Sequence, residues 1–249
     1  MTNTPKLEIR NLRKTFGALI ATNDASISVG QGELHALIGP NGAGKTTLIS
    51  QISGELMPDS GHILLDGRDI TRVPAHRRAA AGLARSFQIS QLYNEFTTED
   101  NVAMAVQAQS SKRYNLWRNA RKDPELREPA KAALEKVGLL HRANEKVANL
   151  AHGEKRQLEL AIALSLNASI LLLDEPMAGL GAEESLLMKD ILQDLKGQYA
   201  MLLVEHDMDI VFALADRVTV LVYGKPIFTG IPDEVREHPE VREAYLGEG

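Results

Sequence analysis

The stretch Gly39-Pro40-Asn41-Gly42-Ala43-Gly44-Lys45-Thr46 decides the fold of this 249-residue chain. It matches the pattern G-x-x-x-x-G-K-[ST], in which glycines let successive backbone N–H groups converge on an anion. The apolar run Leu34–Ile38 before it predicts a buried parallel strand, and the spacing from Thr46 onwards predicts a helix. The stretch therefore predicts a phosphate-binding loop between a strand and a helix.

A loop of this kind assigns a role to each of its polar residues. Lys45 is expected to reach the β- and γ-phosphates of a nucleotide, and the Thr46 hydroxyl to ligate Mg²⁺. The N-terminus of the following helix adds its positive end. The loop thus predicts a site for a nucleoside triphosphate. The expected nucleotide contacts are Gly39, Pro40, Asn41, Gly42, Ala43, Gly44, Lys45, Thr46 and Thr47.

A pair of carboxylates follows a second apolar run. Ile170–Leu173 predicts a buried strand, and Asp174 and Glu175 come directly after it. Asp174 is expected to hold Mg²⁺ through water, and Glu175 to polarise an attacking water as general base. Strands often end in a carboxylate, so the pair gains meaning only beside the phosphate loop. Two adjacent carboxylates favour hydrolysis over simple nucleotide storage.

The rest of the chain alternates between strands and helices. Three apolar runs, 169–173, Ala200–Val204 and 218–222, are separated by the helical stretches 183–195 and 208–215. This alternation is typical of an α/β protein with a parallel sheet. Near the N-terminus the shorter strand signals are Leu7–Arg10, with the alternation of an exposed edge strand, Ala25–Val29 and 62–67.

The segment 89–159 is helical and polar, with no convincing strand. We interpret it as a helical insert in a single domain whose core is formed by residues 1–88 and 160–249. Within the insert, a basic stretch from Lys112 to Lys122 surrounds the single tryptophan, Trp117. A solvated loop with one anchoring aromatic explains this stretch, and contact with anionic headgroups or a partner is the alternative.

Composition excludes several classes of function. The absence of cysteine excludes a disulfide scaffold, thiolate catalysis and cysteine-ligated metal sites. The formal net charge of −5 argues against a surface that binds nucleic acid throughout. The apolar runs are far shorter than the roughly 18 residues of a membrane span, and the first residues lack signal-peptide character. We therefore expect a chain that stays in the cytosol.

The order of these motifs resembles the nucleotide-binding subunits of ATP-binding-cassette (ABC) transporters. The resemblance implies an α/β P-loop NTPase core with an N-terminal antiparallel β subdomain and an inserted α-helical subdomain. In Arg85-Ser86-Phe87-Gln88 it makes Gln88 a sensor of Mg²⁺ and of the attacking water. It also places His206 on the γ-phosphate of ATP and stacks Phe16 on the adenine.

One motif departs from the family pattern. Where the family usually has Leu-Ser-Gly-Gly-Gln before a helix, this chain has Leu150-Ala151-His152-Gly153-Glu154. In the family this helix N-terminus meets the γ-phosphate of ATP held by the other subunit, so the resemblance implies nucleotide contacts at Ala151, His152, Gly153 and Glu154. Glu154 would repel a phosphate unless Lys155, Arg156 or the helix dipole compensates. Nearby, Gly181 stands where the family usually has an aspartate.

Three stretches look like the importers of branched-chain and other hydrophobic amino acids: 174–179, 205–211 and 239–247. The resemblance implies ATP and Mg²⁺ as cofactors, a second nucleotide-binding subunit, two membrane-spanning permease subunits and, indirectly, a periplasmic solute-binding protein, with no nucleic acid. It implies a peripheral position on the cytoplasmic face of the membrane. Contact with the permease is expected after Gln88 up to about Asn101, where Thr97 and Asp100 have capping-box spacing.

Other functions stay open at this point. Importers of urea or short amides have similar subunits, and so do exporters of lipids. A non-transport ABC protein usually carries two cassettes or long coiled-coil arms, and this sequence shows neither. A P-loop kinase or GTPase lacks support, because the chain has no acceptor-binding lid and no Asn-Lys-x-Asp sequence.

Overall fold

The computed structural model describes residues 4–86, 92–109 and 123–246. The strands are β1 Leu7–Phe16, β2 Leu19–Val29, β3 Leu34–Ile38, β4 Ser60–Leu65, β5 Arg68–Asp69, β6 Leu83–Ser86, β7 Ile170–Asp174, β8 Ala200–Val204, β9 Arg217–Val222 and β10 Lys225–Gly230. The helices are α1 Lys45–Ser53, α2 Ala75–Ala80, α3 Thr98–Gln109, α4 Pro124–Lys136, α5 His152–Ser165, α6 Ala182–Leu195, α7 Met208–Leu214, α8 Pro232–Glu237 and α9 Pro239–Leu246.

An antiparallel sheet near the N-terminus has the strand order β2-β1-β4-β5. In β1, Leu7 lies opposite Val29 of β2 on one side and opposite Leu65 of β4 on the other. The prediction of an edge strand at Leu7–Arg10 was therefore wrong, because β1 is paired along both edges. Alternation of apolar and charged residues reports which face of a strand is buried, and it says nothing about whether its edges are paired.

The second sheet has the order β10-β9-β3-β8-β7-β6. The pairs β9–β3, β3–β8, β8–β7 and β7–β6 are parallel, and β10 runs antiparallel to β9. The predicted parallel sheet is confirmed. The sequence reasoning missed β6 and β10, since β6 is only four residues long and β10 carries a proline and exposed polar residues instead of a continuous apolar run.

The parallel sheet separates two aliphatic cores. Every residue of β3, β7 and β8 is buried, as expected of strands covered on both faces. Alternation along β7 divides its side chains between the two faces. Leu171 and Leu173 join the core formed with the helices α3 to α5, whereas Ile170 and Leu172 face α1 and the antiparallel sheet.

The described residues between 92 and 159 form helices and turns, with one isolated bridge between Thr97 and Lys146. Thr97 caps α3, because its Oγ1 accepts the Asp100 N–H at 3.1 Å. Asp100 also pairs with Arg127 of α4 at 2.7 Å, which joins the two helices. Helix α5 runs from His152 to Ser165 and so crosses the predicted boundary at residue 159. The division of the chain into core and insert stays a prediction. The basic stretch 112–122 lies outside the described residues.

None of the described helices combines the length and apolar character that crossing a bilayer requires.

A buried arginine fixes the far end of the helix that follows the phosphate loop. Arg78 is fully buried, and its guanidinium donates to four backbone carbonyls. Two of them, Gln51 and Ile52, belong to the last turn of α1, whose carbonyls have no partner within the helix. The other two, Thr71 and Val73, belong to the segment before α2. Arg78 thus ties α1 to α2 without a carboxylate partner in its hydrogen bonds.

We predict that Arg78→Ala lowers the free energy of unfolding by about 3 kcal/mol or more, because it leaves several buried carbonyls without a donor. The measurement is urea denaturation followed by circular dichroism. Arg77→Ala, at the exposed neighbouring position in the same helix, is the matched control and is expected to change stability by no more than about 0.5 kcal/mol. Equal effects of the two substitutions would contradict the role given to Arg78.

Candidate nucleotide-binding site

Three neighbouring strands bring the predicted site together. Leu37 of β3 and Asp174 of β7 both lie in register with Val204 of β8. Because the strands are parallel, the loops that follow them leave the sheet at the same edge. The phosphate loop, the pair Asp174 and Glu175, and the pair Glu205 and His206 therefore share the carboxyl edge of the sheet.

The phosphate loop has the backbone that its glycines allow. Gly42 and Gly44 have φ angles of +79° and +99°, in the left-handed region that favours glycine. At Gly44 an added Cβ would overlap the carbonyl oxygen of Ala21 in β2. Helix α1 begins at the next residue, Lys45, so its N-terminus opens onto the loop.

The ammonium group of Lys45 is held by the loop itself. Lys45 Nζ donates to the carbonyl of Gly39 at 2.5 Å and to that of Pro40 at 3.1 Å. Burial lowers the pKa of Lys45, and the charges of Glu175 and Asp174 act in the opposite direction. The amine is thus placed among the groups that the sequence assigned to phosphate and Mg²⁺.

A cavity of about 520 Å³ adjoins the phosphate loop. Its described lining contains the predicted residues 41–47 together with Glu175. It also contains residues that the sequence reasoning missed, namely Leu19, Ile20, Ala21 and Asn23 of β2 and the turn residues Tyr223 and Gly224.

The missed residues give the cavity an apolar side. The side chain of Tyr223 is 86% exposed, and Leu19 and Ile20 are also exposed although they are large and apolar. Exposed apolar side chains beside a phosphate loop suit the face of a nucleotide base. The sequence offers one signal for Tyr223, because a glycine at 224, directly after the apolar run 218–222, indicates a turn there.

The predicted adenine contact, Phe16, lies close in the chain to the apolar side of the cavity. Phe16 is the last residue of β1 and pairs with Leu19 at the hairpin. Its half-exposed ring has the Lys14 ammonium 5.5 Å from its centre. Phe16 is absent from the described lining of the cavity, so stacking on adenine stays a prediction.

Asp174 is paired with an arginine that the sequence reasoning did not assign to the site. Asp174 is 3% exposed, and its Oδ2 lies 2.9 Å from Nη2 of Arg85. The other terminal nitrogen of Arg85 lies 2.6 Å from Glu55. Arg85 stands in β6 opposite Leu172 of β7, and only the tertiary pairing of these strands brings it to Asp174.

The residues present fit a magnesium ion. Thr46 and Asp174 offer oxygen donors, and Mg²⁺ in nucleotide sites takes one or two protein oxygens together with water and phosphate. A cage of three or more carboxylates or histidines, which the described residues do not contain, is therefore not required. Gln88, the third predicted ligand, lies outside the described residues.

Glu175 faces the cavity from a restricted backbone position. Its φ is 49°, a conformation rare for a residue other than glycine, asparagine or aspartate. Its N–H donates to the carbonyl of Val204 at 2.9 Å, which continues the pairing with β8 by one residue. Tyr223, which also lines the cavity, has a left-handed backbone as well, with φ 47°. Strained residues of this kind gather at functional sites.

The predicted switch residue His206 stands outside the cavity. Its side chain is 66% exposed and is absent from the described lining. The preceding residue, Glu205, is buried and accepts the N–H groups of Met177 at 3.0 Å and of His206 at 3.2 Å. Burial raises the pKa of Glu205. Glu205 thus links the loop after β8 to the loop after β7, a contact that the sequence reasoning missed.

The motif that departs from the family pattern, residues 150–154, leads into helix α5. Ala151 is the N-cap residue, and its N–H donates to Glu154 Oε2 at 2.8 Å. The Glu154 carboxylate also pairs with Arg142 at 3.0 Å. The charge that compensates Glu154 therefore comes from Arg142, and Arg156 pairs with Glu159 at 3.0 Å. Residues 151–154 are absent from the described lining of the cavity.

The fold and the site together define a P-loop nucleotide-binding protein with an inserted helical region. The family model for the ABC transporter matches residues 22–178. The chain belongs to the ABC transporter family and is an ATPase of the ATP-binding-cassette type. A second model, for the branched-chain amino acid ATP-binding cassette transporter, matches residues 225–249.

Relatives of known name cover almost the whole chain. The high-affinity branched-chain amino acid transport ATP-binding protein LivG of Salmonella typhimurium is 37% identical over 253 residues, covering 98% of each chain. The corresponding protein BraF of Pseudomonas aeruginosa is 36% identical over 251 residues, again with 98% of each covered. The resemblance inferred from the motifs is confirmed.

A solved structure with the same fold supports this assignment. The crystal structure of the ADP conformation of MJ1267, an ATP-binding cassette of an ABC transporter, superposes with a TM-score of 0.86 at 31% identity. The alignment covers 98% of this chain and 99% of that one.

We predict that Lys45→Ala weakens nucleotide binding by about 10- to 100-fold, because charge-assisted hydrogen bonds contribute about 1.5–3 kcal/mol. The measurement is titration with a fluorescent ATP analogue. Lys131→Ala, at an exposed position on α4, is the control and should bind as the unsubstituted protein does. Unchanged affinity of the Lys45 variant would remove the ammonium from the binding site.

Proposed function

We propose that this chain is the ATP-hydrolysing subunit of an importer for branched-chain or other hydrophobic amino acids. The observation that carries the proposal is the cavity in which the phosphate loop and Glu175 meet. Membership of the family and the names of the relatives support transport as the use of that chemistry, and the match of residues 225–249 supports the class of solute.

When a nucleotide binds, Lys45 exchanges its hydrogen-bond partners. Lys45 leaves the carbonyls of Gly39 and Pro40 and donates to the β- and γ-phosphates. The loop N–H groups and the N-terminus of α1 receive the remaining negative charge. Thr46, Asp174 and Gln88 would hold Mg²⁺, which would neutralise charge on the phosphate oxygens.

Hydrolysis requires a base and a group on the γ-phosphate. Glu175, which lines the cavity, takes a proton from the attacking water. His206 contacts the γ-phosphate when the loop after β8 turns its exposed side chain inward, and Glu205 anchors that loop to the Glu175 loop.

A second nucleotide-binding subunit completes the site. Residues 151–154 are absent from the described lining of the cavity in their own chain, and this supports a role in contacting a nucleotide held by another subunit. The motif lacks the serine hydroxyl at Ala151 but keeps the backbone donors of the α5 N-terminus. Two subunits therefore meet head to tail, with each ATP between one phosphate loop and the other subunit's α5.

Membrane-spanning permease subunits bind at the start of the helical region. Tyr93 and Phe96 are both exposed and contact each other edge to face, with ring centres 5.9 Å apart. They lie within the segment expected to contact the permease, just before the cap of α3. An exposed aromatic pair is a typical anchor for a partner. The chain then lies on the cytoplasmic face of the membrane, and a periplasmic solute-binding protein acts from the other side.

We predict that Glu175→Gln keeps ATP binding and lowers turnover by about 100-fold or more, because glutamine cannot take a proton from water. The measurements are ATP binding at equilibrium and steady-state phosphate release. Glu183→Gln, at an exposed position at the start of α6, is the control and should retain full turnover. Near-normal hydrolysis by the Glu175 variant would exclude it as the general base.

The class of solute is tested by reconstitution with the permease subunits and the solute-binding protein in proteoliposomes. We expect leucine, isoleucine or valine to stimulate ATP hydrolysis several-fold. Urea, short amides and lipids are the competing substrates. Stimulation by urea alone would reassign the importer, and stimulation by lipids without a solute-binding protein would replace import by export.

A further inference from the structure

One carboxylate joins the N-termini of two helices that the sequence motifs treat separately. Glu184 lies in the first turn of α6, and its Oε2 accepts the N–H of Gly181, the N-cap residue of that helix, at 3.0 Å. Its Oε1 accepts the N–H of Gly153, in the first turn of α5, at 3.2 Å. Both donors are backbone groups without a partner inside their own helices.

Position 153 requires glycine because Glu184 occupies the space that a Cβ would need. A Cβ added at Gly153 would lie 2.5 Å from Oε1 and 2.7 Å from Cδ of Glu184. Gly153 is buried although the preceding Ala151 and His152 are exposed. In this chain the glycine therefore makes room for a carboxylate of the same molecule.

The carboxylate occupies a place suited to a phosphate. The start of α5 presents backbone donors and the positive end of the helix dipole, which together attract anions. Under the proposed function, on which this inference rests, the γ-phosphate of ATP held by the other subunit approaches this end of α5. Glu184 already uses the Gly153 donor and carries the same sign of charge as the phosphate.

We infer that Glu184 is a positioning residue that controls closure of the nucleotide-bound dimer, because the phosphate must displace its carboxylate from the Gly153 N–H. The same carboxylate holds Gly181, at the end of the loop that begins with Glu175. His152 lies beside the same loop, close to Gly179. The carboxylate that the phosphate displaces therefore also caps the end of the loop that carries the general base.

The test substitutes Glu184→Gln in a Glu175→Gln background, where ATP persists. Glutamine has a single acceptor for the two N–H donors and no charge, so it opposes the phosphate less. We expect the dimer dissociation constant with ATP to fall about tenfold, measured by analytical ultracentrifugation. The thermal unfolding midpoint of each variant is measured without nucleotide, so that only folded protein is compared.

Glu234→Gln is the matched control. Glu234 stands at the same position in the first turn of α8 and accepts the N–H of Ile231 at 3.2 Å. It makes no described hydrogen bond to a second helix. We expect its substitution to leave the dimer dissociation constant within about twofold of the background protein.

Ionic strength separates a charge effect from a merely structural one. Salt screens the repulsion between Glu184 and the phosphate. Between 50 and 500 mM KCl the Debye length falls from roughly 14 Å to roughly 4 Å, so the gain in dimer affinity from Glu184→Gln should shrink. A cap that acted only on helix stability would shift the thermal unfolding midpoint and leave the dimer dissociation constant unchanged at both salt concentrations.

The outcomes distinguish this inference from the proposed function. Equal or weaker dimerisation of the Glu184→Gln protein, in a background that dimerises with ATP, overturns the inference alone. A gain equal to that of Glu234→Gln, or one that does not respond to salt, also overturns it. Absence of ATP-dependent dimers in every variant, the Glu175→Gln background included, overturns the proposed head-to-tail pairing and the inference with it.

Discussion

The parallel pairing of three fully buried strands is the constraint on which the site depends. Because β3, β8 and β7 run side by side in one direction, the loops after them leave the sheet at a single edge. A shift of register by one residue would move each buried side chain to the opposite core and separate Lys45 from Glu175. The aliphatic packing on both faces therefore sets the geometry of the polar groups above it.

Four of the acidic groups described above already have partners. Asp174 is paired with Arg85, Glu154 with Arg142, and Glu205 and Glu184 accept backbone N–H groups. Burial of an unpaired carboxylate is costly, so the fold needs these partners. When nucleotide binds or the dimer closes, a charged group therefore exchanges one partner for another. The net change in free energy can be small even where each single contact is strong.

The sequence predicted those parts of the site that are formed by residues close together in the chain. The phosphate loop, the helix after it and the pair Asp174 and Glu175 follow from short stretches whose pattern reflects their own backbone needs. The same reasoning placed the strand at Leu7–Arg10 on an edge and overlooked Arg85 and Arg142. Arg85 and Asp174 are 89 residues apart, and neither sequence neighbourhood carries a trace of the other.

The sequence by itself determined that this chain binds phosphate between a strand and a helix, because glycine and lysine spacing acts through local backbone geometry. It also determined the family, because several such local motifs occur in one order. Only the tertiary structure decided that Arg85 holds Asp174, that Tyr223 lines the cavity and that Glu184 reaches Gly153. Those contacts depend on strand order and helix packing, which are set by the burial of the whole aliphatic core.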